Sequence, residues 1–484
     1  MEWEWLAWFD AGDYEIARQV LQRGTAAIFA VAFLSTAMQF PALLGDRGLL
    51  PAPDFIARTP AKAYPSLFRW RYSDRMLRTV AWTGFVVALL LVAGVPQLAG
   101  PWAPAVAFLV LWVLYLSIVN IGQTFYSFGW ESLLLEAGFV VAFLGSNEAA
   151  PPLLTILFIR WLVFRLEFGA GMIKMRGGRE WRDLTALDYH HETQPMPNPL
   201  SRLAHLLPKP VHRVEVLGNH IAQLVVPFFL FAPQPMASVA ACIVILTQLW
   251  LVVTGNFAWL NWITIVLAFA GISDPFVHAV LPFVPADLGT DAPSPVWWVV
   301  IVVLVMALLV VLSWQPLRNL FARHQLMNAS FNRLHLVNAY GAFGTVTKER
   351  YEVVIEGTDA GDPADASAEW REYEFRGKPG DPRRIPRQFA PYHLRLDWLM
   401  WFLALGYRDE RWFQVLLVKL LLADRATLRL LRLDPFHGER PSAIRARLFL
   451  YRFASRAERR ETGLWWIREP VAELVRPVGL RSRP

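Results

Sequence analysis

"FGAGMIKMRGGREWRDLTALDYHHETQPMPNP", residues 168–199, opens as the end of an apolar helix and then turns into a charged run. Lys174 and five further charged residues fall between 174 and 183, followed by the pair His190–His191 and three prolines. Its first residues continue the apolar stretch 152–172, so it marks a helix leaving a bilayer. Polarity concentrated at such a border fits an active site, a client-binding surface or a lipid–water boundary.

The rest of the chain agrees with a membrane setting. Of 484 residues, 55% are hydrophobic and only 18% charged, too apolar a balance for an ordinary soluble enzyme. Runs near the roughly 20 residues that cross a bilayer occur at 25–44, 79–95, 103–121, 152–172, 217–232, 236–254 and 296–313. Shorter apolar runs at 133–145 and 259–272 suit tilted, re-entrant or half-spanning segments. Six to nine spans are expected. The opening MEWEWLAWFDAGDYE is acidic and Trp-rich, which predicts an interfacial segment over 1–24 rather than a secretory leader. The 22 Trp suit the headgroup zone, where amphipathic rings are favoured.

The formal charge of +7 sits beside spans and no basic-aromatic module appears, so a lipid bilayer and not nucleic acid is the expected partner. Loop 45–78 carries seven Arg/Lys residues, but 173–216 and the region after 313 are also Arg-rich, and sidedness stays open. The lone cysteine, Cys242, excludes an internal disulfide and dithiol exchange.

Near residue 320 the pattern changes. A multi-pass transmembrane domain over 25–320 gives way to a C-terminal α+β soluble domain over 321–484, so the fold class is a mainly α polytopic bundle with a smaller α+β module. "TVTKERYEVVIEGT" (345–358) and "WREYEFRG" (370–377) alternate as strands and form a hairpin across "DAGDPADASAE". Residues 395–406, 410–423 and 441–455 read as helices with Arg on their polar faces.

Arg160, Glu167 and Lys174 are spaced by seven, nearly two helical turns, and share one face with Gly171 beside them. Neighbouring charges are then about 10.5 Å apart along the axis, too far to pair. Glu167 has no basic residue three or four positions away, so its partner comes from another helix, from water or from protonation. Snorkelling is the plain reading of Lys174. Against it, the chain uses 41 Arg and six Lys, and lysine is the cation that burial can convert to a base.

Five of the ten His fall at 190, 191, 205, 212 and 220, with spacings that match no zinc motif, so no metal is expected. Glu215, Asn219 and Gln223 share a helix face, suited to meet Glu167. "TQPMPNPL" is too rich in proline to be helical and would fix the approach of the two polar helices. Glu136, Asn256 and Asn261 suit interhelical hydrogen bonds. No hydrolase, phosphate-loop or kinase signature is present, and no cofactor is implied.

Together the opening run, "HRVEVLGNHIAQLVVPFFLF", "GNFAWLNWITIV", "NAYGAFGTVTKERYEVVIEGT", "WREYEFRGKPGDP", "APYHLRLDWLMWFLAL" and the early "LLGDRGLLPAPDF" resemble the lipase maturation factor family, in family order. The resemblance implies a multi-pass, chaperone-like maturation factor for secreted clients such as lipases, seated in the endoplasmic reticulum membrane of eukaryotes. An Arg-rich, Lys-poor chain points to a bacterial relative in the inner membrane. Under this reading the chain is not an enzyme. Arg160, Trp181, Arg182, Asp183, His190, His191, Glu192 and Asn219 form a client-binding or structural polar cluster, and a second copy of the chain is a further candidate partner. An edge of strand 345–358 is expected to take an extended client. "GAGMIKMRGGREW" is also similar to the membrane part of vitamin K-dependent gamma-glutamyl carboxylases. That implies an alternative, a membrane enzyme with Lys174 as base tuned by Glu167 or His220.

Overall fold

The computed structural model describes residues 8–284, 292–365, 367–406 and 410–480. Residues 1–7 of the expected interfacial segment lie outside these. The first helix, α1 (Glu15–Leu43), begins within that segment and already buries Glu15, Arg18 and Gln22.

The bundle continues with α2 (Asp74–Ala93), α3 (Trp102–Val119), α4 (Gly129–Val141), α5 (Leu153–Arg176), α6 (Lys209–Leu224), α7 (Met236–Thr254), α8 (Leu260–Ala268) and α9 (Val296–Leu312). Among the described residues, six helical stretches are long and apolar enough to cross a membrane: Gly12–Leu43, Asp74–Ala93, Trp102–Val119, Lys209–Phe231, Met236–Thr254 and Val296–Phe321. A seventh arises if Leu260–Gly271 and Asp274–Val280, bent by 103°, form one broken span. Helix α5 has the length, at 24 residues, but carries five charges, and four of them (Arg160, Arg165, Glu167 and Lys174) are buried among the other helices. It is the polar axis of the bundle rather than a lipid-facing span.

Local sequence explains the packing. Ser73 caps α2 by accepting from the Met76 amide at 3.1 Å, which satisfies a donor that the first turn leaves free. Gly84 lets α2 close on α1, because a Cβ there would lie 2.4 Å from the Phe33 ring. Phe29 and Phe33 in turn pack edge-on against Tyr115 of α3, with centroids 5.8 and 5.3 Å apart.

The C-terminal module holds a four-stranded antiparallel sheet in the order β2-β1-β3-β4: β1 (Arg350–Thr358), β2 (Arg371–Glu372), β3 (Ala443–Phe453) and β4 (Trp466–Val478). Helices α10 (Arg395–Ala404) and α11 (Arg411–Leu421) match the expected 395–406 and 410–423. The expected helix over 441–455 is instead β3. Its Arg445 and Arg452, seven apart, fit a helical face on paper, but Ile444, Phe449, Tyr451 and Phe453 favour a pleated surface, and all nine residues of β1 pair with β3. The 345–358/370–377 hairpin exists only at Glu356–Glu372 and Gly357–Arg371. Strand β1 lies between β2 and β3 in the sheet order with all but one of its residues buried, so the expected client edge on it is covered. The open edge belongs to β4, which the sequence reading did not identify as a strand.

One hydrophobic core runs through both halves, from Phe29 and Trp259 to Trp398 and Leu416. The module is docked on the helices. Arg395 of α10 reaches Glu131 of α4 at 2.6 Å and the Phe125 carbonyl at 2.8 Å. Asn256 accepts from the Phe389 and Ala390 amides, both at 2.9 Å, and Gln39 accepts from the Arg395 amide at 3.0 Å. Loop 45–73 lies on the same face, since Arg333 donates to the Lys62 carbonyl at 3.1 Å and Asn120 to that of Pro65 at 2.8 Å. On the opposite face the Glu15 amide donates to Asp274 at 2.8 Å, and Ser294 donates to Asp10 at 2.7 Å.

Candidate functional site

Helices α5 and α6 create the polar seam. Gly171 allows their close approach, because a Cβ there would stand 2.7 Å from Leu224 and 3.1 Å from the Gln223 Cβ. Asn219 and Gln223, one turn apart on α6, thereby reach α5. Lys174 Nζ donates to Gln223 Oε1 at 2.8 Å and to Asn219 Oδ1 at 3.4 Å, and lies 4.7 Å from the centre of the Trp181 ring. Gln223 Nε2 donates onward to Glu167 Oε2 at 3.2 Å. The other Glu167 oxygen accepts from Gln248 of α7 at 2.6 Å, and Gln248 accepts from Asn261 of α8 at 2.6 Å. Lys174 and Glu167 are 6% and 2% exposed, so this chain lies inside protein.

Arg160 does not join them. It is buried nearer the opposite face, donating to the Ala270 carbonyl at 2.8 Å, the Leu230 carbonyl at 3.1 Å and Tyr14 Oη at 2.8 Å. The three charges share a stripe but not an environment: Arg160 closes the ends of other segments, while Gln223 fills the space between Glu167 and Lys174.

The loop after α5 folds over the seam. Trp181 Nε1 donates to the Phe343 carbonyl at 2.7 Å, and the Trp181 carbonyl meets His220 Nε2 at 2.9 Å. His220 thus orients Trp181 and does not touch Glu167 in the hydrogen-bond chain. His190 stacks on Phe257 (centroids 6.2 Å apart, planes within 3°), and burial together with the Lys174 charge pushes its pKa down to about 4. His191 lies 3.8 Å from Glu215, and Glu192 accepts from the Phe453 amide at 2.6 Å. Arg182 and Asp183 are exposed, and Asp183 sits 3.9 Å from Arg179, away from the seam. The proline loop anchors the end of α7: Gln194 donates to the Thr254 carbonyl and Asn198 to that of Val253, each at 2.9 Å. Arg350 of β1 clasps the same loop through the carbonyls of Glu192 (2.9 Å) and Pro195 (3.1 Å).

Two further centres go beyond the sequence reading, which singles out Glu136 but not Arg165, Glu131 or Arg395. Arg165 forms a buried ion pair with Glu136 and donates to the Asn338 carbonyl at 2.7 Å, while Glu136 also accepts from Tyr340 Oη at 2.6 Å and the Asn338 amide at 2.8 Å. Glu131 accepts from Tyr115 Oη and pairs with Arg395, whose guanidinium lies 3.5 Å from the Tyr126 ring centre. The signal for both is the pair of carboxylates in the apolar "WESLLLEAG", which require cations from elsewhere in the chain.

Both charges of the seam are engaged. The Lys174 ammonium is occupied by two carboxamide oxygens and an aromatic face. The carboxamide between it and Glu167 does not titrate and is a poor proton relay. Among the described residues, no group of three or more His, Cys, Asp or Glu is arranged to hold a metal ion.

The fold and this site define a multi-pass membrane protein with a sheet module locked onto its bundle. Residues 16–279 match the lipase maturation factor transmembrane domain, and residues 336–476 match the lipase maturation factor C-terminal domain. Lipase maturation factor 1 of Bos taurus is 38% identical over 97% of this chain and 90% of its own length. The Homo sapiens protein of that name is likewise 38% identical, over 97% and 89%. Lipase maturation factor 2 of Homo sapiens is 28% identical over 96% and 83%. No solved structure matches. The chain belongs to the lipase maturation factor family.

Proposed function

We propose that the chain is a membrane-embedded maturation factor that binds a secreted polypeptide, a lipase by analogy with its relatives, and helps it reach its active form. The observation that carries this is the similarity across both halves in order, 16–279 and 336–476, with 38% identity to Lipase maturation factor 1. All the relatives just described are maturation factors, which favours this reading over carboxylase-type catalysis at Lys174. The Arg-rich, Lys-poor composition supports a bacterial inner membrane as its location.

The client surface is assigned to the docked module and its border with loop 177–208. Strand β4 has one side open, with Val471 and Val478 half-exposed along it, so an extended client adds there as a fifth strand. In the seam, Lys174, Glu167, Asn219 and His220 hold α5, α6 and Trp181 in place beneath that surface. Removing 335–484 is a poor test, because it strips Glu131 and Glu136 of Arg395 and Asn338. A photocrosslinker at Val471, in cells co-expressing a secreted lipase, is a clean one. The lipase crosslinks from Val471 and not from lipid-facing Leu304, and Val471→Asp lowers secreted lipase activity with the chain still in the membrane. Equal crosslinking from both positions, or full activity with Val471→Asp, rejects the assignment.

A further inference from the structure

The seven basic residues that crowd loop 45–78 have separate fates. Arg69 is spent on the fold, donating to the Tyr64 and Thr59 carbonyls at 2.7 Å each, and Arg58 lies 3.8 Å from Asp54. Arg75 and Arg78 differ. Both are exposed in the first two turns of α2, and among the described residues neither guanidinium has an ion-pair partner. The nearest carboxylate in sequence, Asp74, is turned toward the Asp46 amide (3.1 Å) and Tyr72 Oη (3.0 Å).

The two arginines head an exposed face of α2 that continues along the helix past Trp82 and Thr83 to Val86. Trp82 lies seven residues beyond Arg75, about 10.5 Å further along the axis. From outside in, the helix thus offers paired cations, an amphipathic ring and then an apolar face, with Val86, Leu89 and Leu90 all exposed. That is the order of a phospholipid: phosphate, glycerol-ester border, acyl chain. Trp favours that border, and cationic clusters beside a span attract anionic lipid headgroups.

We propose that the outer face of α2 is a binding site for an anionic phospholipid, with its phosphate held between Arg75 and Arg78 and an acyl chain laid along Trp82 and Val86. The site is separate from the seam and from the client surface. Its geometry asks for one phosphate with a covalently attached apolar tail, so free phosphate is not the ligand.

The test uses the full chain in phosphatidylcholine vesicles, comparing the association of spin-labelled phosphatidylglycerol with that of spin-labelled phosphatidylcholine. The wild type prefers phosphatidylglycerol, and the preference falls about fivefold for each arginine removed in R75Q and R75Q/R78Q. W82A weakens retention of both lipids. R456Q/R460Q, which removes two exposed arginines from the sheet module, leaves the preference intact. Added inorganic phosphate does not displace the lipid. No preference in the wild type, an unchanged preference in R75Q/R78Q, or displacement by inorganic phosphate would each overturn the site.

Discussion

Glu167 and Lys174 sit on one helix too far apart to touch, and Gln223 from the neighbouring helix joins them, donating to the carboxylate at 3.2 Å and accepting from the ammonium at 2.8 Å. A single neutral side chain therefore bridges two buried charges, and α6 is fixed to α5 through it. Gln223→Leu leaves both charges short of a partner. We expect a loss of about 1–3 kcal/mol, the usual cost of a buried polar group left unmade. Unfolding of the purified protein in detergent measures it, and an unchanged midpoint would show that Gln223 carries no such load.

The docking of the module predicts a non-additive pair. Arg395→Met strands Glu131 in the core and costs about 3–5 kcal/mol, as does breaking any buried ion pair from one side. Adding Glu131→Gln to Arg395→Met recovers much of that loss, because the uncompensated charge is gone. A double-mutant cycle by thermal unfolding reads this directly. Simple additivity would mean that the two residues do not depend on each other.

Acid sensitivity follows from the histidines outside the spans. Burial pushes the His205 pKa down to about 4, and the imidazole faces Glu192 at 3.5 Å with His212, Asp188 and Arg202 nearby. Its unfolded value is about 6.5, so the unfolded chain takes up the proton first. Stability is complete above about pH 6.5 and is lost as pH falls toward 4. His190 and His393 are pushed down to about 4 in the same way, with burial the main cause for both. His205→Gln flattens this slope by at most ~3 kcal/mol between pH 6.5 and 4. An identical slope in the variant would assign the acid loss to other groups.

The chain path places loop 45–73, loop 177–208 and the sheet module on one face, and residues 94–101 on the other. Single cysteines at Asp183 and Arg460, in a Cys242→Ser background, react with a membrane-impermeant maleimide from one side. A cysteine at Leu98 reacts only from the other. Labelling of Asp183→Cys and Arg460→Cys from different sides would break the fold.

Much of this was legible from sequence because lipid imposes length and apolarity on a span, which left α1, α2, α3, α7 and α9 conspicuous. The seven-residue spacing of Glu167 and Lys174, with Asn219 and Gln223 four apart, also anticipated the contact between α5 and α6. Other features depend on partners remote in sequence. Arg395 finds Glu131 from 264 positions away, and no local periodicity carries that information. Segment 443–453 failed for a related reason: Arg445 and Arg452 suited a helical face, and only pairing with β1 made it a strand. Arg160 shows the limit of a stripe, since a shared helix face does not oblige residues about two turns apart to share neighbours.

The proposed role of the Lys174–Gln223–Glu167 seam is to position helices beneath a client surface, with no reaction of its own. Secreted lipase activity from cells carrying Lys174→Met with Glu167→Gln, which removes both charges while keeping volume, probes that role. With membrane levels matched, activity is expected to stay within about twofold of wild type, since a neutral replacement for a buried pair is often tolerated. Abolished lipase maturation by a correctly inserted, stably folded double variant would contradict it and return Lys174 to a chemical role.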